Sequence, residues 1–228
     1  MLKAMPPPET MTPLTEAELM ERASALAGKT LGKVALQTGL TMPASMKQAK
    51  GLVGQLIELA LAGTCSTHAG PDFPALGIEL KTLPLDRPGH PRESTYVCTV
   101  APQSDLKSSW KQSRVWHKLA RVLWIPVEAA PEIPLAQRRI GSPVFWHPDA
   151  AQDKILQQDW DELTGMIREG ELDKLTSRYG QYLQIRPKAR DSKALQSSSG
   201  PDGSPGQTLP RGYYLRTCLT RQILDSHT

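Results

Sequence analysis

The segment "GPDFPALGIELKTLPLD", residues 70–86, places Asp72, Glu79 and Lys81 in a run of mostly small and apolar residues. Because successive side chains of a β-strand point to opposite faces, a strand over "GIELKTL" puts Glu79 and Lys81 on the same face. Asp72 precedes this strand by one turn, which is close enough for its side chain to reach the same point. The segment therefore predicts two carboxylates and an ammonium group side by side.

Such a group of side chains is suited to breaking phosphodiester bonds with the help of a metal ion. Carboxylates are the hard oxygen ligands that Mg²⁺ prefers, so Asp72 and Glu79 are the predicted metal ligands, with the backbone carbonyl of Leu80 as a third. A bound metal ion lowers the pKa of a coordinated water and polarises the phosphate. Lys81 is suited to orient the attacking water and to offset negative charge as it develops.

The spacing D-x6-E-x-K is by itself a weak signal, because it occurs by chance in many proteins. On spacing alone, a surface strand with a Glu79–Lys81 pair on its solvated face is the favoured interpretation. Other features of the sequence are needed to distinguish a metal site from a solvated ion pair.

The bulk properties of the chain narrow its class. Its 228 residues are enough for one large domain or two small ones, which can fold without disulfides. Three cysteines without a CxxC pair fit a reducing compartment. The sequence contains no secretory signal and no run of about 18 apolar residues, so we expect a cytoplasmic protein without membrane segments. The net charge of +4 permits a nucleic-acid partner without requiring one.

The organisation of the chain indicates a single domain after a short tail. Residues 1–13 are rich in Pro and Met and are predicted to be a flexible N-terminal tail, followed by one domain over residues 14–228. Helical patterns come first, beginning with a capping box of Thr15 and Glu18, and strands and helices then follow. This order predicts an α/β or α+β domain around a mixed sheet. Residues 191–208 are rich in Ser, Gly and Pro and are predicted to be a mobile loop within that domain.

Six segments, taken in order, closely resemble the MutH family of DNA mismatch-repair endonucleases: "KGLVGQLIELALAG", "DFPALGIELKTLPLD", "HKLARVLWIPVE", "PLAQRRIGSPVFW", "YLQIRPKA" and "LPRGYYL". The resemblance covers almost the whole chain, from about Leu14 to the C-terminus. It implies the fold of type II restriction endonucleases, the PD-(D/E)xK superfamily, with a mixed β-sheet flanked by helices and two sub-lobes that form a DNA cleft. It also implies Mg²⁺-dependent nicking of the unmethylated strand at hemimethylated GATC sites, stimulated by a MutL-type ATPase.

The same resemblance implies roles for residues outside the opening motif. Glu58 matches an acid that faces the metal site, and Lys118 matches a lysine near the scissile phosphate. Arg186 and Lys188 match a loop that contacts DNA and reads its sequence. Tyr214 matches an aromatic residue linked to sensing the adenine methyl group. Three further positions match residues close to DNA: Lys50, Gly51 and Tyr96.

Residue chemistry supports part of this assignment and leaves part of it open. An arginine can read a guanine edge with two hydrogen bonds, so Arg186 is the predicted base-reading residue, although basic runs usually form a solvated surface. Tyr213 and Tyr214 are adjacent on a predicted strand and point to opposite faces, and the resemblance makes Tyr214 the exposed one. Glu58 lies in a mainly apolar helix, either near the metal site or on the one solvated stripe of that helix.

The implied catalytic core of Asp72, Glu79 and Lys81 occurs once in the chain. One such site cuts one strand, so we expect a monomer that nicks DNA. A type II restriction endonuclease specific for GATC would instead cut both strands without an activator. The alternatives from another class are a catalytically silent GATC-binding module and an adaptor that only docks a repair ATPase. The intact motif argues against both of them.

Overall fold

The computed structural model describes residues 12–13, 15–43, 51–62, 70–100, 108–171, 174–176, 178–188, 196–199, 205–208 and 210–226. The chain divides into two compact units, each of which is built from two separate stretches of sequence. The first unit comprises residues 1–92 and 121–146, and the second comprises residues 93–120 and 147–228. Of the predicted N-terminal tail, residues 1–13, the described part is limited to residues 12 and 13.

Helices and strands are numbered here in chain order. The first unit contains α1 (Glu16–Ser24), α2 (Leu31–Thr38), α3 (Leu52–Ala60), β1 (Glu79–Leu85), β3 (Val122–Glu128) and β4 (Val144–Trp146). The second unit contains β2 (Thr95–Thr99), α4 (Arg114–Leu119), α5 (Ala150–Arg168), β5 (Leu183–Pro187), β6 (Gln196–Ser199), β7 (Pro205–Thr208), β8 (Arg211–Leu215) and α6 (Thr217–Asp225). This mixture of helices with small sheets confirms the predicted α/β class. None of the described helices has the length and apolar character needed to cross a membrane.

A three-stranded sheet in the order β1–β3–β4 forms the centre of the first unit. β1 and β3 run parallel, with Glu79 opposite Val122, whereas β4 runs antiparallel to β3. The first six residues of β3, "VLWIPV", are all buried. A continuous apolar run of this kind is typical of a strand that is covered on both faces.

Local signals mark the start of α1 and the end of α2. The Thr15 side chain accepts a hydrogen bond of 3.1 Å from the Glu18 N–H, which caps α1. α2 ends at Gly39, whose φ of 73° favours a residue without a Cβ. The apolar faces of the three helices join Ile125 and Val127 of β3 in one core cluster. In this core, α3 packs against β1.

The sheet of the second unit has the order β2–β8–β5 and is antiparallel throughout. Tyr214, on the central strand β8, lies opposite Tyr96 of β2 and Gln184 of β5. α5, which is capped by the Asp149 side chain, packs against β5. Four side chains of β5 and β8 lie on the face opposite Tyr214 and are buried: Leu183, Ile185, Tyr213 and Leu215.

The segment predicted to be a mobile loop, residues 191–208, contains two short strands. β6 and β7 pair antiparallel in a sheet of their own, with Gln196 opposite Thr208. Pairing between backbones needs no apolar side chains, so the Ser, Gly and Pro composition did not reveal these strands. The mobility of the segment stays a prediction.

Candidate active site and nucleic-acid interface

The opening motif lies on β1 and on the turn that precedes it. Phe73 and Ile78 form an antiparallel bridge that closes residues 74–77 into a tight turn. This turn returns the chain to the strand, where Asp72 Oδ2 accepts a hydrogen bond of 2.7 Å from the Leu80 N–H. Asp72 is therefore held beside the strand that carries the other two charged residues, as the sequence predicts.

Glu79 and Lys81 lie on the buried face of β1. Glu79 is 5% exposed and Lys81 is 8% exposed, and the next residue on this face, Leu83, is fully buried. The Lys81 Nζ donates a hydrogen bond of 3.2 Å to Glu79 Oε1. The interpretation of these residues as a pair on a solvated strand face is therefore wrong. A buried ion pair is a poor source of stability, because desolvation offsets the attraction, and buried charges are common at functional sites.

Glu58 lies on α3, the helix that packs against β1. The side chain is half-buried and its Oε1 atom is enclosed by protein. Gly51 precedes α3 as an exposed N-cap with a φ of 84°. Lys50, the neighbouring residue predicted to lie close to DNA, is outside the described residues.

The donor atoms of this motif fit a hard divalent cation. Asp72 and Glu79 supply carboxylate oxygens, and the Leu80 carbonyl would supply a third oxygen, so the set matches the ligands that Mg²⁺ prefers. No group of three or more His, Cys, Asp or Glu side chains is arranged to hold a metal ion in the part of the chain that the structure describes. A site with two carboxylates still suits Mg²⁺, which keeps several of its waters when bound.

Lys118 lies on α4 and is half-buried. It belongs to the second unit, whereas the opening motif belongs to the first. Its place beside the scissile phosphate therefore stays a prediction.

The second unit gathers the other predicted DNA-contacting side chains on one face of the β2–β8–β5 sheet. The rings of Tyr96 and Tyr214 meet edge to face with their centroids 5.4 Å apart. The Lys188 Nζ donates hydrogen bonds of 3.1 Å to the Tyr96 hydroxyl and to Thr99 Oγ1. The Arg186 guanidinium carbon lies 5.9 Å from the centre of the Tyr214 ring. We call these five residues the basic–aromatic face.

Gly212 makes room for the two rings of this face. A Cβ atom at this position would lie 2.9 Å from Cε2 of Tyr96 and 3.2 Å from Cε2 of Tyr214. Gly212 is not among the residues that the sequence predicts for this site. Its place two residues before Tyr214, on the same side of the strand, is the signal that could have found it.

Tyr213 and Tyr214 point to opposite faces, as predicted. Tyr213 is 5% exposed and its hydroxyl lies 3.2 Å from Thr164 Oγ1, whereas Tyr214 is half-buried. Burial, and then the neighbouring Tyr96, raise the pKa of Tyr214 against the opposing effect of Lys188 and Arg186. The Tyr214 phenol is therefore neutral at physiological pH and can donate a hydrogen bond.

The chain is similar to known proteins over almost its whole length. Residues 61–159 match the family model described as "DNA mismatch repair enzyme MutH". A "DNA mismatch repair protein MutH" from Shewanella baltica (strain OS185) is 50% identical over 220 residues, which is 96% of each chain. A protein of the same name from Shewanella sp. (strain MR-4) is 46% identical over 225 residues, which is 98% of each chain.

Proposed function

This chain belongs to the MutH family of DNA mismatch-repair proteins, and from that premise we propose that it is an Mg²⁺-dependent endonuclease that nicks the unmethylated strand at hemimethylated GATC sites. Its small mixed and antiparallel sheets, flanked by helices, are consistent with the restriction-endonuclease-like fold. The observation that carries the proposal is the arrangement of Asp72, Glu79 and Lys81 around β1. Glu79 and Lys81 form a buried ion pair there, and the half-buried Asp72 carboxylate is held beside the same strand by the Leu80 N–H.

Each residue of the motif has a separate task in this proposal. Asp72 and Glu79 would hold the metal ion, and the hydrogen bond from the Leu80 N–H keeps the Asp72 carboxylate in one orientation. When bound, Mg²⁺ polarises the phosphate and lowers the pKa of an attacking water. Lys81, held by Glu79, would orient that water and offset the charge that develops on the phosphoryl oxygens. Glu58 and Lys118 would support this site from α3 and α4.

DNA recognition is assigned to the basic–aromatic face. The exposed Arg186 carries the planar guanidinium that can pair with both acceptors of a guanine edge. The Lys188 ammonium is already held by two hydroxyl groups, and it is suited to a phosphate contact. Tyr214, a neutral phenol next to Arg186, would sense whether the adenine carries a methyl group.

The proposed activity involves one strand and one partner. A single copy of the motif supports one cut for each monomer, and we propose that a MutL-type ATPase stimulates that cut. Binding through Arg186 and Lys188 would release counterions from the DNA backbone, so the affinity would fall as salt concentration rises. Affinity that does not depend on salt would contradict this use of the basic–aromatic face.

A nicking assay tests the proposal directly. The substrate is a plasmid with one hemimethylated GATC site, and wild-type protein is compared with Asp72→Ala in the presence and absence of Mg²⁺. We expect a metal-dependent nick in the unmethylated strand that disappears in the variant. Asp86→Ala is the matched control, because Asp86 ends the same segment and hydrogen-bonds the His90 N–H instead of the motif.

Two results would replace the proposal by its alternatives. Binding to GATC without nicking, even with a MutL-type partner, would indicate a catalytically silent DNA-binding module. Efficient cutting of both strands without an activator would indicate a restriction endonuclease.

A further inference from the structure

A buried aspartate of the second unit holds the start of β5. Asp159 lies on α5 and is 6% exposed. Its Oδ1 atom accepts a hydrogen bond from the Gln181 N–H at 2.7 Å. Its Oδ2 atom accepts hydrogen bonds from the N–H groups of Tyr182 at 2.6 Å and Leu183 at 2.8 Å. Three backbone donors thus converge on one carboxylate, and hydrogen bonds of this charge-assisted kind are stronger than neutral ones.

The chain before β5 is shaped for this close approach. Gly180 has a φ of 76°, and a Cβ atom there would lie 1.9 Å from the Leu183 carbonyl oxygen and 3.4 Å from Asp159 Cγ. No side chain larger than hydrogen fits this position without moving the backbone. The Tyr182 carbonyl is held in turn by the Arg216 N–H at 2.8 Å. The turn into β5 is therefore held by Asp159 and by main-chain contacts.

This turn determines where the basic residues of β5 stand. β5 begins at Leu183, the last of the three donors to Asp159, and Arg186 follows three residues later. Arg186 lies opposite Gly212, and Gln184 lies opposite Tyr214. A shift at the start of β5 would therefore move Arg186 and the following Lys188 relative to the tyrosine rings.

The same helix also holds the neighbouring strand. Thr164 of α5 is 1% exposed, and its hydroxyl lies within hydrogen-bond distance of the Tyr213 hydroxyl on β8. Tyr213 directly precedes Tyr214, the aromatic residue on the opposite face. α5 thus contacts β5 through Asp159 and β8 through Thr164, both from the buried side of the sheet.

We propose that Asp159 is a positioning residue for DNA recognition, whose carboxylate holds β5 so that Arg186 and Lys188 meet Tyr214 and Tyr96 in the arrangement that binds GATC. This inference rests on the proposed function, because it requires that the basic–aromatic face contacts DNA. Groups that are held in their binding arrangement before the ligand arrives lose less entropy on binding.

Asp159→Asn is the first variant to test. The amide keeps the shape of the carboxylate but replaces one acceptor oxygen by an NH₂ group, which then faces at least one backbone N–H. We expect the Kd for a hemimethylated GATC duplex to rise about tenfold, the size of effect that losing one good base contact has. Binding to a duplex with the GATC bases scrambled should change much less. The nicking rate at saturating DNA should stay within about twofold of wild type, because the opening motif is untouched.

A double-mutant cycle with Arg186→Ala shows whether Asp159 affects GATC binding through Arg186. If Asp159 acts through Arg186, then Asp159→Asn weakens GATC binding little further once Arg186 has been removed. Fully additive losses would overturn the inference while leaving the proposed function intact. If Arg186→Ala itself leaves GATC binding unchanged, the assignment of the basic–aromatic face to DNA fails, and the inference fails with it.

Two further variants separate positioning from a general loss of stability. Gly180→Ala leaves the carboxylate in place but displaces the same turn, so it should reproduce the loss of GATC binding, and it replaces Asp159→Asn if that variant does not fold. Leu219→Ala removes a fully buried side chain of α6 and lowers the stability of the same unit through a cavity. Equal losses of GATC binding and of thermal stability in Leu219→Ala and Asp159→Asn would overturn the inference.

Discussion

The Nζ atom of Lys81 lies 3.2 Å from Oε1 of Glu79, and both side chains are buried. Solvent therefore screens this pair far less than it screens an ion pair on the surface. Each charge offsets part of the cost of burying the other, so the two depend on each other. This dependence links the stability of β1 to the residues that are proposed to cut DNA.

Lys81→Met removes the ammonium group and leaves the Glu79 carboxylate in its buried position. We expect the free energy of unfolding to fall by about 3–5 kcal/mol, measured by urea denaturation, and nicking to be lost. The double variant Glu79→Gln with Lys81→Met should recover most of the stability without activity. Arg87→Met is the control, because the exposed Arg87–Glu132 pair should contribute less than about 1 kcal/mol. A stable Lys81→Met variant would contradict the interdependence of the two charges.

Asp72→Asn separates the structural task of Asp72 from its chemical task. Asparagine keeps an oxygen that can accept the hydrogen bond from the Leu80 N–H, so the fold should be retained. Loss of the carboxylate charge should lower the nicking rate at least about 100-fold. Thermal unfolding is then measured at increasing Mg²⁺ concentration. Wild type should become more stable, and the variant should not. An equal response of the two proteins would argue against Asp72 as a metal ligand.

Gly212→Ala tests the packing of the basic–aromatic face. The added methyl group would meet the rings of Tyr96 and Tyr214 at 2.9 and 3.2 Å, so both rings have to move. We expect weaker binding to hemimethylated GATC and little change on scrambled duplex. Gly165→Ala, on α5, is the matched control, because a Cβ atom there has no neighbour within 4 Å. If the two variants bind GATC equally well, the ring positions do not matter for recognition.

The raised pKa of Tyr214 predicts a pH dependence at the alkaline end. Burial, and then Tyr96, favour the neutral phenol, so the folded protein holds this proton more tightly than the unfolded chain does. The resulting stability is complete below about pH 10, the ordinary pKa of tyrosine, and is lost as the pH rises through the folded pKa. The phenolate absorbance of wild type minus that of Tyr214→Phe measures this titration. If the difference curve has its midpoint at about pH 10, the ordinary pKa of tyrosine, the pKa of Tyr214 is not raised.

Capping residues and strand alternation were enough to predict the features that depend only on neighbouring residues in the sequence. α1 begins at the predicted capping box, where Thr15 caps the helix through the Glu18 N–H, and α2 ends at Gly39. The opposite orientations of Tyr213 and Tyr214 also follow from strand geometry alone. Spacing drew attention to Asp72, Glu79 and Lys81, but the family resemblance was needed to favour a metal site over a solvated ion pair. The same resemblance added Arg186 to the candidate residues.

The remaining features depend on contacts between distant parts of the chain. Burial of Glu79 and Lys81 requires the rest of the first unit, so the spacing on β1 alone favoured the opposite interpretation. Asp159 resembles any charged residue of an amphipathic helix, because its three donors lie 22 to 24 residues further along the chain. The pairing of β6 with β7 rests on backbone groups that composition does not reveal.

The interleaving of the two units has a consequence for the protein while it is being made. The chain leaves the first unit after residue 92 and returns to it at residue 121. A ribosome that has made the first 92 residues has delivered Asp72, Glu79 and Lys81 but not β3, the strand beside which β1 lies. Such a nascent or prematurely terminated chain lacks the enclosure that holds the two charges out of water. We therefore expect that fragments of this protein lack the proposed nuclease activity, and that this activity arises only after translation has passed β3.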